Sequence, residues 1–187
     1  MATDGLAPNL LLAMPQLEDP NFTRSVVLLC RHSDEGALGF IVNRPMQVSA
    51  NELLSLDSEM TKDVPLTVWE GGPVSQERGW LLCRESPPEG DSLTVCDGIY
   101  MSSSQSHLRQ VVAGDPRECE PDRCRLLLGY AGWGPGQLDA ELHASAWLLI
   151  PVDRELVFGT PPEQIWERSI RSLGVDPTAI APAPGIH

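Results

Sequence analysis

A thiol and an imidazole stand two residues apart in the stretch SVVLLCRH, at Cys30 and His32. Together they could serve as a nucleophile and its base. On a strand, positions i and i+2 share a face, so both side chains are expected to point the same way. Their Cα atoms would then lie about 6.6 Å apart, too far for a direct bond unless the side chains lean together. The apolar run before Cys30 supports the plainer reading of a buried structural thiol. A second pair, Cys119 and Cys124 in RECEPDRC, falls in an acidic loop. No CxxC or HxxxH supplies the further ligands that zinc requires, so no metal is expected. These two thiols are expected to be more accessible than Cys30, Cys83 and Cys96. In SSSQSH (102–107) hydroxyls stand near His107, but the GxSxG elbow is missing and a helix cap accounts for them.

The stretch GYAGWGPGQL (129–138) resembles a phosphate-binding turn. Gly132 and Gly134 fit the first two glycines of GxGxxG, and Asp153 follows at the end of the next apolar run. The third position is Gln137, Gly136 is one residue out of register, and Pro135 removes an amide. The stretch therefore reads as a corner that borders a cleft. Trp133 supplies a large ring there, and Gln137 and Glu141 share one helix face beside it. Gly71-Gly72-Pro73 reads as a tight turn or a close backbone approach. No catalytic or cofactor signature is complete, and no cofactor is expected.

The chain that must position these groups has 187 residues, enough for one domain with its own core. It carries 26 acidic and 13 basic residues, a net charge of -13, and Lys62 is its only lysine. Such a surface repels nucleic acid and anionic membranes, and the arginines form no basic run to compensate. The N-terminus has no basic n-region or spanning apolar segment, so a cytoplasmic protein is expected. Five cysteines without a CxxC pair are not a disulfide framework.

Strands are expected at 10–14, 25–31, 37–43, 66–70, 78–84, 93–96 and 99–102, with HSDEG turning a hairpin and Pro45 ending a strand. RLLLGY (125–130) and AWLLIPV (146–152) are unbroken apolar runs, which predicts two central strands covered on both faces. ELVF (155–158) reads as a last short strand. Helices are expected from Ser49, with Glu52 completing a capping box, and from about Ser104 to Ala113, capped by Ser102 and Gln105. A further helix should start at Thr160–Glu163 with a capping box. It should bury Trp166, Ile170 and Leu173 and pair Glu167 with Arg171. The mixture is α+β with a mixed sheet.

LLLAMPQLEDPNFTRSVVLLCRHSDEGALGFIVNRP, WEGGPVSQERGWLL and LLLGYAGWGPGQLDAELHASAWLLIPVD succeed one another in the order of the AlgH/YqgE family. The chain resembles that family over residues 6–176. Shared are the MP-LEDPNF segment (14–22), NRP (43–45), GGPV (71–74) and the glycine, tryptophan, Gln137-Leu138 and Glu141 pattern from Gly129. Arg31 stands where the family commonly has an acid, and Ser33 where an Asn usually follows the histidine. The resemblance implies a single α+β domain whose bifurcated sheet forms a pseudo-barrel flanked by helices; from composition the termini, 1–5 and 177–187, are expected to be mobile. It also implies a bacterial cytoplasmic protein. Some members carry a transcription-regulator label, but the acidic charge and the missing helix-turn-helix argue against direct DNA binding.

Two functional readings follow. In the first, a non-enzymatic regulatory or binding protein presents the shared motifs around one cleft to a protein or small-molecule partner. The cleft residues would be Asn43, Arg44, Gly71, Gly72, Trp133, Gln137 and Glu141, with His32 and Cys30. In the second, a small-molecule or nucleotide binder or an enzyme uses the same cleft.

Overall fold

Short runs of apolar and β-branched residues between turn signals commit most of this chain to strands. The computed structural model describes residues 5–53, 65–87 and 92–180. They contain strands β1 (Asn9–Ala13), β2 (Val26–Ser33), β3 (Gly36–Ile41), β4 (Pro45–Ser49), β5 (Thr67–Glu70), β6 (Val74–Cys83), β7 (Ser92–Cys96), β8 (Ile99–Ser102), β9 (Cys124–Trp133) and β10 (Trp147–Pro151). The helices are α1 (Ala50–Leu53), α2 (Gln105–Ala113), α3 (Gln137–His143), α4 (Arg154–Phe158) and α5 (Pro162–Ser172). The continuation of α1 towards Leu56 and the termini 1–4 and 181–187 lie outside the described residues.

The main path of the sheet runs β10-β1-β2-β3-β9-β6-β8-β7. It forks at β9, which pairs antiparallel with β3 and β6 and parallel with β5. β4 adds to the far side of β5. The fold is α+β with a bifurcated mixed sheet, and β10 and β7 stand at its ends, so the sheet stays open. At the fork the chain passes itself at backbone contact. A Cβ on Gly72 would lie 2.1 Å from the Tyr130 carbonyl carbon, and one on Gly129 would lie 2.3 Å from the Gly72 oxygen. Gly129 also holds φ at +72°, so side chains are excluded here on two counts.

The sheet is covered on both sides. Leu10, Leu12, Leu28, Phe40 and Leu127 pack on one face with Ile165, Trp166 and Ile170 of α5. Leu11, Val27, Leu29, Ile41 and Ala131 pack on the other with Leu138 of α3 and with Trp133 and Trp147. Adjacent residues of β1 and β2 thus enter different cores, which is why their sequences are apolar without alternation.

Several expectations are corrected. AWLLIPV is an end strand, because its unbroken apolarity reports two covered faces rather than a central position. ELVF is the helix α4, started by Asp153, whose side chain accepts from the amides of Glu155 and Leu156. Pro45 begins β4 instead of merely closing β3, and Ser104 rather than Ser102 caps α2. At α5 no capping box forms, since Pro161 holds the cap position and Thr160 donates to the Glu155 carbonyl. Leu173 is exposed, and Glu167 pairs with Arg24 of the loop before β2. Cys119 and Cys124 are buried, because the chain tucks both thiols beneath α2 and β6.

Candidate functional site

Cys30 and His32 do not share a face. The β2–β3 register shifts between Leu29 and Arg31, and this bulge makes Cys30 the extra residue. Cys30 then packs against the α5-side core, where burial, with a smaller contribution from Cys96, pushes its thiol up to about 12. His32 turns towards α3. Its Nδ1 accepts from the Leu6 amide at 3.2 Å, so Nε2 carries the proton and donates to Asp139 at 3.1 Å. A thiol that keeps its proton and an imidazole bonded at both nitrogens make no nucleophile–base pair.

The glycine turn is also occupied. Gly136 takes φ +70° and α3 begins directly after it. Gln137 Oε1 accepts from the Gly134 amide at 3.0 Å, the N–H that a phosphate would need. Gln137 Nε2 donates to Glu141 Oε1 at 2.9 Å, and Glu141 Oε2 accepts from the indoles of Trp133 at 2.9 Å and Trp147 at 2.8 Å. One carboxylate thus pins two buried tryptophans. They form a cage 5.8 Å apart, and both contact Phe22, stacked on Trp133 at 6.3 Å and edge-on to Trp147 at 5.4 Å.

Asn43 and Arg44 act on the same loop from the other side. Asn43 Oδ1 accepts from the Val26 amide and its Nδ2 donates to the Arg24 carbonyl, both at 2.9 Å. Arg44 donates to the carbonyls of Asn21 and Thr23 and lies 3.6 Å from Glu70. Glu70 in turn donates its amide to the Arg44 carbonyl. Gly71 accepts from the Ile41 amide and donates to the Leu128 carbonyl, so it ties β3 and β9 together at the end of β5. Within the gripped loop Arg24 adopts φ +53°, a conformation L residues avoid at a cost of about 1–2 kcal/mol. Strain of this kind persists only where the surroundings over-determine it.

What the anchored segment presents is a groove of about 490 Å³. Ala13, Met14, Pro15, Leu17 and Thr23 form one wall; Trp166 of α5 and Pro177 form the other. The rim carries Glu18 and the Arg24–Glu167 ion pair at 2.7 Å, with the Arg24 guanidinium 4.7 Å from the centre of the Trp166 ring. Of the expected cleft residues, Asn43, Arg44, Trp133, Gln137 and Glu141 converge on this loop from behind, as positioning residues. His32 is joined to their network through Asp139 of α3, Gly71 and Gly72 sit at the β3–β5–β9 crossing, and Cys30 belongs to the core. Of the groove-lining residues, Met14, Pro15, Leu17 and Glu18 were legible as part of the shared MP-LEDPNF segment and Trp166 as a core tryptophan. Among the described residues no cluster of three or more His, Cys, Asp or Glu could hold a metal, and no helix is long and apolar enough to cross a membrane.

The fold and this site define a class: an open, forked α+β sheet with a buttressed apolar groove. The AlgH-like family model matches residues 10–178. A UPF0301 protein of Stenotrophomonas maltophilia is 41% identical over 174 residues, covering 91% of this chain and 90% of that protein. A UPF0301 protein of Alcanivorax borkumensis is 40% identical, covering 99% and 98%. The solution structure of the AlgH protein from Pseudomonas aeruginosa superposes with a TM-score of 0.78 at 32% identity, covering 100% and 98%. A crystal structure from Corynebacterium diphtheriae, at 22% identity and TM-score 0.67 over 92% and 89%, shows the same fold. The chain belongs to the AlgH-like family.

Proposed function

We propose that the protein is a non-enzymatic binding protein of regulatory type, and that its groove between residues 13–24 and α5 takes an apolar ligand or an apolar segment of a partner. The observation that carries this reading is convergence. Asn43 and Arg44 on one side and the Trp133–Glu141–Gln137 network on the other hold one loop, and that loop keeps a strained residue at the rim of an apolar groove. The volume falls within the roughly 300–1,000 Å³ of small-ligand sites. The net charge of -13 favours a partner other than duplex DNA and suits a cytoplasmic setting. The enzyme and nucleotide readings lose their parts, since Cys30 and His32 diverge and the Gly134 amide is already bonded.

The test is a thermal-shift screen of apolar metabolites and apolar peptides on the wild type and on Thr23→Trp. Thr23 is exposed and lines the groove, while its backbone carbonyl, not its side chain, accepts from Arg44. Ligands that stabilise the wild type should lose that effect in the filled variant. Equal stabilisation of both proteins, or none from any apolar probe, rejects the groove as the binding site.

A further inference from the structure

A second feature lies at the far end of β9, away from the groove. Cys83 of β6 and Cys124 of β9 are directly opposed in the antiparallel register. The neighbouring pair, Arg84 and Arg123, carries the ladder bond, from the Arg84 amide to the Arg123 carbonyl at 2.8 Å. Cys83 and Cys124 therefore occupy a non-hydrogen-bonded position, where Cα atoms approach to about 4.5 Å and side chains lie closest. That separation is within the range a disulfide spans, and the two Sγ atoms are 3.1 Å apart as free thiols. The third thiol nearby, Cys119, is turned away onto the Val111 carbonyl at 3.4 Å.

Both sulfur-bearing residues line a cavity of about 150 Å³, with Glu85, His107, Glu118 and Arg123 also in its wall. At about 30 Å³ per water this is room for roughly five waters or one small polar molecule. His107 is 8% exposed, and its Nδ1 has no hydrogen-bond partner among the described residues. Burial lowers its pKa, so the neutral imidazole, a base, predominates at neutral pH.

We infer that Cys83 and Cys124 form an oxidant-reactive dithiol, converted by small hydroperoxides to a reversible cross-strand disulfide. The first attack falls to Cys83, the more exposed of the two at 6% against 2%, while contact with Cys83 and burial raise the Cys124 thiol. Cys83 loses its proton to His107 or water, and its sulfur attacks the distal peroxide oxygen. The O–O bond breaks, and an alcohol (or water, from hydrogen peroxide) leaves with that proton as Cys83 becomes a sulfenic acid. The Cys124 sulfur then attacks the Cys83 sulfur, the S–O bond breaks, and water leaves with the Cys124 proton. Two thiols are oxidised and one peroxide is reduced. The bond would staple β6 to β9 between cysteines 41 positions apart in the chain.

The experiment treats the full chain with hydrogen peroxide or cumene hydroperoxide, quenches in acid and maps cysteines by peptide mass spectrometry. The expected result is a Cys83–Cys124 peptide pair lighter by two hydrogens, reversed by dithiothreitol and unaffected in Cys119→Ser. In Cys124→Ser, which keeps the first step and lacks the second, dimedone should label Cys83. Mapping of the wild type needs no variant to fold. A cross-link only between Cys30 and Cys96, one that joins Cys119, or full alkylation of Cys83 and Cys124 after treatment overturns the inference.

Discussion

Replacing Glu141 by alanine tests the scaffold of the groove at its most connected point. The carboxylate accepts from the indoles of Trp133 and Trp147, which are 6% and 2% exposed, and from the Gln137 amide. A hydrogen bond to a charged acceptor contributes about 1.5–3 kcal/mol, and a buried donor left alone costs about 1–3 kcal/mol. Glu141 itself is only half-buried, so water can reach part of the vacated space, and the lower end applies to each indole. Glu141→Ala should therefore lose about 3 kcal/mol, which for a chain of this size lowers Tm by about 6–12 °C. Glu141→Gln should fall between. Its carbonyl can still serve both indoles through the shared Oε2 position, but its amide would face the Gln137 amide, donor against donor. The loss there is about 1–2 kcal/mol. Urea denaturation followed by tryptophan fluorescence gives the ranking, and exchange of the Phe22 amide should speed up in step. A loss below about 1 kcal/mol for the alanine variant would show that packing alone holds the cage. A glutamine variant as damaged as the alanine one would refute the assignment of the shared oxygen.

Gly72→Ala should lose about 3 kcal/mol or more, since its Cβ would meet the backbone of Tyr130 and Ala131 within 2.5 Å, and the denaturation midpoint checks it. Arg44→Ala removes the donor to two carbonyls from a partly exposed side chain. It should cost about 1–2 kcal/mol and raise amide exchange across 21–26 about tenfold, with little change in the β6–β8 strands. The pKa of His107 is lowered below 6.5 by burial, so in the unfolded chain it binds a proton first as pH falls. Its contribution is therefore complete above about pH 7 and is lost as pH drops from near 6.5 towards the folded value, and urea midpoints in His107→Leu should lack that slope.

The strands show how much of the fold could be read locally. SVVLLCR, ALGFIVN and LTVWE carry β-branched and aromatic residues between turn signals, and β2, β3 and β5 lie there. The Ser49–Glu52 box forms as its spacing requires, with each backbone amide bonded to the other side chain. ELVF misleads because three apolar residues after one Glu suit either structure, and the cap that decides for helix is Asp153, outside the run. The Cys30–His32 spacing misleads for a deeper reason. Alternation holds only while the ladder is regular, and one bulge reverses it without any mark in the composition.

By itself the sequence determined that this chain builds an α+β domain with a mixed sheet, an acidic surface and the segments of its family, because these follow from residue type, order and near-neighbour spacing. Which segments meet was decided only in three dimensions. Phe22 lies more than a hundred residues from Trp133, and Arg44 more than twenty from Asn21, yet both converge on one loop. Cys83 and Cys124 oppose each other through the register of β6 and β9. Register and the sheet's fork are set by pairing and by glycines that permit backbone contact, a long-range choice that local patterns do not encode.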